Sequence, residues 1–212
     1  MIHATVILDG DVVIGERVTI AAYAVITAPC TIGDDVYIGA HCVIGAPAQH
    51  HAHYPSPLTA QHAPKGVWIG EGATIREHST IHQGLARETR VGAGVLIMAS
   101  SHVAHDCLVG EGVTAAPFLG LGGFTTIGEG ATLGQGVVSH PWIVIGEGSM
   151  VGLNTSVIRD VDAFVKVAGS PARCLGPNTP KLASRGADWR VRDAQIRSDR
   201  DELRSAWYGV AC

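Results

Sequence analysis

An aliphatic residue recurs at every sixth position along most of this chain of 212 residues. Most members of the series are followed by glycine or another small residue. A period of six matches neither the 3.6-residue period of an α-helix nor simple alternation along a long strand. It predicts short strands separated by tight corners, with each hexad forming one side of a three-sided coil. The series, which only Ala115 and Ser139 weaken, comprises Ile14, Ile20, Ile26, Ile32, Ile38, Ile44, Ile69, Ile75, Ile81, Val91, Ile97, Val103, Val109, Ala115, Leu121, Ile127, Leu133, Ser139, Ile145, Val151 and Val157.

A second inward-facing position is predicted four residues after each member of the series, where small or branched residues such as Ala24 and Thr155 lie. Cys30, Cys42 and Cys107 occupy this position, and a buried free thiol packs as a small hydrophobe. We therefore interpret these cysteines as core filler. A core of stacked aliphatic and small side chains also explains why aromatic residues make up only 5% of the chain.

The hexads resemble the repeat of left-handed parallel β-helix proteins. The resemblance implies an all-β fold, a left-handed parallel β-helix of hexapeptide repeats with a short α-helical C-terminal tail. We place the β-helix at residues 1–165, with an excursion loop at residues 46–65, where Pro and His are frequent. About four extra residues after Ile81 predict a second, smaller loop. Residues 166–212 form the C-terminal segment, in which residues 188–208 predict one or two short amphipathic helices.

Composition and charge exclude several classes of function. The formal net charge is -4 and no block of Lys and Arg is present, so nucleic acid is not an expected partner. No apolar run approaches the length of a membrane span, and the N-terminus lacks the features of a secretory signal. The cysteines are odd in number and form no CxxC pair, which argues against a disulfide framework or a zinc knuckle. We therefore expect a cytoplasmic protein with reduced thiols and no integral membrane segment.

The histidines fall at related positions of the repeat. Residues 18 apart lie one above another on successive coils, about 4.8 Å apart. Once the small insertion is discounted, this register places His82, His105 and His140 at one corner of the coil. Gly122 and Gly123 of the intervening coil are expected to leave open space there, and His102 is expected to project from the neighbouring flat face. Such a column would line a groove for an extended ligand.

Two segments carry a more specific resemblance. "IREHSTIHQG" and "VLIMASSHVAHDCLVG" resemble the acyl-carrier-protein-dependent UDP-N-acetylglucosamine O-acyltransferases of lipid A synthesis, and the similarity runs from about Ile69 to Gly186. The resemblance implies transfer of an acyl group from an acyl-carrier-protein thioester to a hydroxyl of a nucleotide sugar. It also implies a homotrimer with sites between adjacent subunits, and neither a metal nor another cofactor.

The same resemblance assigns roles to individual residues. In the family, the second histidine of an HxxHD motif is the general base, and this position falls on His105. Imidazole suits that role, since it titrates near neutrality and can accept a proton from a sugar hydroxyl. The backbone N–H of Gly123 would stabilise an oxyanion. Asp106 would hold the imidazole, or it is a simple corner carboxylate; the sequence leaves both open. The residues expected to contact substrate are His82, His102, His140, Asn178 and Arg185.

Departures from the family pattern keep alternatives open. Phe124 stands where the family has another cleft histidine, and Pro141 replaces a glutamine. In addition, "VAGSPARCLG" resembles the end of the repeat in coenzyme A-dependent sugar acetyltransferases, in which a basic residue such as Arg173 meets the donor's phosphate. A coenzyme A-dependent sugar O- or N-acyltransferase is therefore the principal alternative, with the donor thioester as co-substrate in either case.

Two further hypotheses belong to other classes. γ-Type carbonic anhydrases are also left-handed β-helices, and they bind zinc through histidines, but their histidine pair is spaced five apart. His102 and His105 are three apart, which disfavours zinc, and the loop histidines His50, His51 and His53 are interpreted as a substrate-covering or solvated surface. A non-catalytic rod would not need histidines that converge on one corner.

Overall fold

The computed structural model describes residues 1–50, 63–183, 186 and 188–208. Short parallel strands follow the six-residue period and build a left-handed β-helix of about eight turns, as the sequence predicts. Within the described residues the strands form three sheets, one for each side of the coil. Most of the predicted excursion at residues 46–65 falls outside the described residues, and the coil resumes with a strand that begins at Val67.

Each sheet collects every third strand as far as β22 (Ser156–Val157), and the third sheet also takes in the last two strands of the chain. The first contains β1 Ile7–Asp9, β4 Val25–Thr27, β7 Val43–Ala46, β10 Thr80–His82, β13 His102–Val103, β16 Gly120–Leu121, β19 Val138–Ser139 and β22 Ser156–Val157. The second contains β2 Val12–Ile14, β5 Cys30–Ile32, β8 Val67–Ile69, β11 Thr89–Val91, β14 Leu108–Val109, β17 Thr126–Ile127 and β20 Val144–Ile145. The third contains β3 Thr19–Ile20, β6 Tyr37–Ile38, β9 Thr74–Ile75, β12 Leu96–Ile97, β15 Thr114–Ala115, β18 Thr132–Leu133, β21 Met150–Val151, β23 Val165–Ala168 and β24 Arg173–Pro177.

The interior of the coil is the predicted aliphatic stack. Nearly every member of the six-residue series is buried, and Cys30, Cys42 and Cys107 are buried among them as small packing groups. Ile14 is only half-buried because its strand lies at the edge of the second sheet. Ser139 is half-buried, and its hydroxyl accepts a hydrogen bond from the backbone N–H of Gly122 at 3.2 Å. The stack therefore accommodates a polar side chain where a neighbouring group forms a hydrogen bond with it.

The C-terminal segment adds a hairpin and two helices to the end of the coil. β23 and β24 pair antiparallel, α1 covers Thr179–Ala183, and α2 is a single helix of 20 residues, Trp189–Tyr208. No helix in the described part of the chain is both long and apolar enough to cross a membrane.

Ion pairs hold α2 against the coil. Arg192 pairs with Glu147 at 2.8 Å, and Arg197 and Arg200 both pair with Asp160, at 2.9 and 2.8 Å. The C-terminal end of α2 consequently lies beside the corner that carries the histidines.

Candidate functional site

Strand pairing fixes which residues share the histidine corner. Ile81 pairs with Val103, Val103 with Leu121, and Leu121 with Ser139, so these four inward residues form one ladder. The small insertion after Ile81 does not disturb the register. The side chains that follow each of these inward residues in sequence therefore stack along one corner, and neighbouring coils lie about 4.8 Å apart.

His105 and Asp106 form a buried hydrogen-bonded pair. The distance from His105 Nδ1 to Asp106 Oδ2 is 2.7 Å, and the carboxylate is fully buried. Adjacent residues face each other here because Asp106 has a φ of 61°, a left-handed conformation that turns its side chain back toward its neighbour. Of the two possibilities left open by the sequence, this geometry corresponds to a carboxylate that holds the imidazole.

The insertion after Ile81 supplies a nest for that carboxylate. Asp106 Oδ1 accepts hydrogen bonds from the backbone N–H groups of Ala86 and Arg87, both at 2.8 Å, and Leu85 N–H donates to Oδ2 at 3.1 Å. The Asp106 N–H in turn donates to Thr89 Oγ1 at 2.8 Å. With its carboxylate fixed in this way, Asp106 orients the His105 ring with Nδ1 toward itself, which leaves Nε2 as the atom able to accept a proton.

The imidazole of His105 lies against Gly123 of the next coil. A methyl group added to Gly123 would come within 2.6 Å of His105 Cε1 and 2.7 Å of Nε2. The expectation that Gly122 and Gly123 leave open space was therefore wrong, because the imidazole occupies the space at Gly123 and the next coil, at His140 and Pro141, closes the space at Gly122. Gly123 is needed there to admit the ring, and its role toward an oxyanion stays a prediction.

His82 and His102 form a second pair beside the first. Their ring centroids lie 4.9 Å apart in an edge-to-face arrangement, and Thr80 Oγ1 is 2.7 Å from His102 Nδ1. Burial, followed by the nearby imidazoles of His102 and His105, lowers the pKa of His82 to about 4. Burial and His105 also lower the pKa of His102. Both rings are consequently neutral at pH 7, so they can donate and accept hydrogen bonds without bringing positive charge to the cleft.

Two buried polar atoms in this part of the corner lack partners. Among the described residues, neither His82 Nδ1 nor Gln83 Oε1 has a hydrogen-bond partner, although their residues are only 5% and 8% exposed. An unpaired buried polar atom is unfavourable in the free protein. The pair therefore offers hydrogen bonds to a ligand that enters the corner.

His140 does not join the other three histidines. Its side chain is exposed, and its Nδ1 lies 3.1 Å from the carbonyl oxygen of Pro141. It follows Ser139, two rungs beyond Val103 on the ladder, so about two interstrand spacings separate it from the coil of His105. The register prediction was right about the shared corner, but of the four histidines predicted to converge, His82, His102 and His105 lie together and His140 does not.

Aromatic side chains occupy the coils beyond His105. Phe124 and Trp142 stack in parallel with ring centroids 3.8 Å apart, and the Phe124 centroid lies 5.2 Å from that of His105, edge to face. Trp207 of α2 packs on Phe124 at 5.0 Å, and His50 lies 5.7 Å from both His105 and Trp207. Phe124 and His50 thus contact the His105 ring directly, and Trp142 and Trp207 pack behind Phe124.

Sequence reasoning identifies only part of this aromatic wall. Phe124 is a departure from the family pattern, and the 18-residue spacing from Phe124 to Trp142 is a signal that could have identified Trp142. Trp207 and His50 are distant in sequence from His105, and no local pattern places them there.

Two of the residues predicted to contact the nucleotide or the donor, Asn178 and Arg173, form hydrogen bonds within the fold. The side-chain amide of Asn178 donates to the carbonyl of Gly148 at 2.9 Å, so this group is engaged within the fold. Arg173 is exposed on β24 and donates to the carbonyl of Ala172 at 3.2 Å. Arg185 lies outside the described residues. The roles predicted for these three residues stay predictions.

No group of three or more His, Cys, Asp or Glu side chains in the described ranges is arranged to hold a metal ion. His105 directs its Nδ1 to Asp106, and His102 directs its Nδ1 to Thr80. The independence of the protein from metal stays a prediction.

Comparisons with known proteins agree with the repeat and the fold. The sequence profile described as bacterial transferase hexapeptide (six repeats) matches residues 11–46. The acyl-acyl-carrier-protein–UDP-N-acetylglucosamine O-acyltransferase of Syntrophobacter fumaroxidans is 40% identical over 157 residues, which are 72% of this chain and 61% of that protein. The protein of the same name from Pseudomonas putida is 32% identical over 138 residues, 64% of this chain and 54% of the relative. The chain thus spans less than two thirds of the length of these relatives.

Solved structures give the same similarity over a larger share of the fold. The UDP-N-acetylglucosamine acyltransferase of Francisella novicida superposes with a TM-score of 0.79 at 27% identity, covering 88% of this chain and 74% of that one. The corresponding protein of Bacteroides fragilis gives a TM-score of 0.77 at 26% identity and covers 88% of this chain and 78% of that one.

Proposed function

We propose that this hexapeptide-repeat protein, like the UDP-N-acetylglucosamine acyltransferases that it resembles, transfers an acyl group from a thioester to a hydroxyl of a nucleotide sugar. The observation that carries the proposal is the buried His105–Asp106 pair, held at the corner of a β-helix similar to those enzymes. UDP-N-acetylglucosamine or a related sugar is the proposed acceptor, and an acyl-carrier-protein or coenzyme A thioester is the proposed donor.

The reaction follows from the orientation of His105. With Nδ1 hydrogen-bonded to Asp106, Nε2 accepts the proton of the sugar hydroxyl as its oxygen attacks the thioester carbonyl carbon. The C–O bond forms, the carbonyl oxygen becomes an oxyanion, and the N–H of Gly123 is proposed to stabilise it. When the intermediate collapses, the C–S bond breaks, and the leaving thiolate takes the proton from His105. The products are an O-acyl sugar and a free thiol.

The neutral histidines suit a sugar as acceptor. His82 and His102 can each donate one hydrogen bond and accept another, which matches sugar hydroxyl and amide groups. His82 Nδ1 and Gln83 Oε1 lack partners within the described chain, and a bound sugar would satisfy them. The lowered pKa values of His82 and His102 keep both rings uncharged at pH 7. Neither ring therefore repels the positive charge that His105 carries after it has accepted the proton.

We also propose that the protein assembles as a homotrimer. Large apolar side chains remain exposed on the coil, including Phe118 at 56%, Val138 at 45% and Ile158 at 53%. Exposed apolar surface of this kind is typical of protein contacts, and a second subunit would add a wall to the cleft. Sedimentation at micromolar concentration should give the mass of a trimer, whereas a monomer would contradict the assembly. A cytoplasmic location stays a prediction.

A panel of donors and acceptors tests the proposed activity. The purified protein is incubated with acyl-carrier-protein and coenzyme A thioesters of different chain lengths, together with several nucleotide sugars, and the products are identified by mass spectrometry. We expect one O-acylated nucleotide sugar that forms equally well after chelation of metals. An N-acylated product would support the alternative acceptor chemistry. The proposal fails if no combination gives an acylated product, and zinc lost together with activity would contradict the metal-free mechanism.

A further inference from the structure

The side chain of Arg87 lies at the histidine corner, although the residue belongs to the insertion that interrupts the repeat after Ile81. Its Nε–H donates a hydrogen bond to the backbone carbonyl oxygen of Asp106 at 2.8 Å, and its Nη2 donates to Thr126 Oγ1 at 3.4 Å. Asp106 and Thr126 lie on successive coils, since Thr126 pairs in register with Leu108. The half-buried guanidinium therefore extends from the insertion across two coils of the corner.

Arg87 contacts Asp106 from two directions. Its backbone N–H donates to the carboxylate oxygen Oδ1, and its side-chain Nε–H donates to the main-chain carbonyl oxygen of the same residue, both at 2.8 Å. These two hydrogen bonds close a ring that includes the side chains of both residues. The ring fixes the Asp106 carboxylate relative to its own backbone, whose φ of 61° is uncommon for a residue other than glycine.

The guanidinium also brings positive charge to a poorly solvated place. Burial lowers the pKa of Arg87, and the neighbouring Cys107 and Asp106 oppose this effect. Because arginine stays protonated in proteins, the side chain is charged where it meets the Asp106 carbonyl. A hydrogen bond from an ionised donor is about twice as strong as one between neutral groups. The charge therefore strengthens the attachment of Arg87 to Asp106.

The insertion holds Arg87 in this position. A methyl group added to Gly84 would overlap the carbonyl oxygen of Arg87, so the turn closes this tightly only with glycine. The backbone N–H groups of Gly84 and Thr89 both donate to the carbonyl oxygen of Gly66, at 3.2 and 3.1 Å. Both ends of the insertion are thus anchored on the preceding part of the coil, and Arg87 lies between them.

The orientation of His105 depends on the position of Asp106. Asp106 Oδ2 is 2.7 Å from His105 Nδ1, and the other ring nitrogen, Nε2, lies against Gly123. If the carboxylate rotated away, the ring could carry its proton on Nε2 instead. An imidazole in that tautomer has no lone pair on Nε2 and cannot accept a proton there.

We propose that Arg87 is a positioning residue for the His105–Asp106 pair. Its guanidinium clamps the backbone of Asp106, so that the carboxylate keeps the proton of His105 on Nδ1 and leaves Nε2 free to act as the base. The inference rests on the proposed acyl transfer and adds to it a residue that lies outside the repeat.

The turnover number tests the role of the side chain. Arg87→Met keeps much of the aliphatic stem but removes the donor and the charge. Its kcat should fall about tenfold or more, the effect expected for the loss of one charge-assisted hydrogen bond, whereas KM should be nearly unchanged. Arg87→Lys keeps a charged donor and should recover most of kcat. Arg87→Gln removes the charge with a polar side chain and gives the same test if Arg87→Met does not fold.

Arg90→Met is the matched control. Arg90 is exposed just beyond Arg87, pairs with Glu88 at 2.8 Å and lies over the ring of Trp68, 5.4 Å from its centroid. This variant should keep the wild-type kcat. Circular dichroism and sedimentation first establish that each variant is folded and assembled like the wild type. An unchanged kcat in Arg87→Met, or an equal loss in Arg90→Met, would overturn the positioning role.

Nitrogen NMR of the imidazole rings reports the tautomer of His105 without turnover, and the His105 signals are identified by their loss in His105→Ala. At a pH where the ring is neutral, the wild type and Arg90→Met should show a single tautomer protonated at Nδ1, whereas Arg87→Met should show a mixture. The same tautomer in Arg87→Met as in the wild type would overturn the proposal. If no thioester is turned over, acyl transfer fails as the function, yet the tautomer still decides whether Arg87 holds the pair.

Discussion

The inside of the coil and the corner beside it share one period, but only the corner changes chemistry from one coil to the next. On the inside, Val103 is succeeded by Leu121, another aliphatic residue of the same stack. Three residues further along the chain, the corresponding corner positions carry Asp106, Phe124 and Trp142, all with positive φ. The repeat therefore determines the architecture and the distances, whereas function depends on residues that the repeat leaves free to vary.

Asp106→Asn should have the largest effect on the corner. The asparagine can still accept hydrogen bonds from the N–H groups of the nest through its oxygen, but its NH₂ then faces His105 Nδ1 and favours the wrong tautomer. We expect kcat to fall by about 10² to 10⁴-fold, by analogy with the aspartate of serine protease triads, with little change in KM. The pH profile of kcat distinguishes this positioning role from a structural one, and an unchanged kcat would show that Asp106 does not orient the base.

Ile97→Ala tests the inside of the coil. Ile97 is 1% exposed in the aliphatic stack, so truncation should lower the free energy of unfolding by about 2 to 5 kcal/mol, measured by urea denaturation. Leu175→Ala is the control, because Leu175 is 65% exposed, and its truncation should cost less than about 0.5 kcal/mol. Similar losses in both variants would contradict the assignment of the stability to the inward stack.

The pH dependence of stability tests the burial of His82. Its pKa is about 4 in the folded chain, against 6.5 for a solvated histidine, so between these values the unfolded chain binds more protons. The stabilisation is complete above about pH 6.5 and is lost as the pH falls toward 4. From pH 7 to pH 5 the free energy of unfolding should fall by about 2 kcal/mol more in the wild type than in His82→Gln. Parallel pH profiles for the two proteins would place His82 in a solvated environment.

Trp207→Ala should have the smallest of these effects, because it alters the wall of the cleft rather than the reacting groups. We expect KM to rise about tenfold, the order of magnitude for a lost aromatic contact at a binding site, with kcat nearly unchanged. Trp189→Ala is the matched control, since Trp189 packs on Phe164 at the other end of α2, 5.2 Å between centroids. If both variants behave alike, α2 acts only as a structural support.

The sequence predicted what depends on the period. The inward residues, the buried cysteines and the shared corner of His82, His105 and His140 all follow from counting residues, because parallel strands stack in a fixed register.

The features that the sequence did not predict depend on local backbone conformation or on long-range docking. The contact between His105 and Asp106 requires a positive φ at Asp106, and the nest that holds the carboxylate is built from an insertion that interrupts the repeat. An amphipathic pattern predicts α2 as a helix, but the ion pairs that bring Trp207 to the corner join residues far apart in sequence.

The central claim is that His105, rather than its neighbour His102, is the base. The direct test is the turnover number for acyl transfer of His105→Ala and His102→Ala with the donor and acceptor found in the panel, after circular dichroism and sedimentation have shown that both variants are folded and assembled. We predict that His105→Ala loses about 10² to 10⁴-fold in kcat, whereas His102→Ala shows a milder loss expressed mainly in KM. Near-normal turnover in His105→Ala together with an inactive His102→Ala would contradict this assignment.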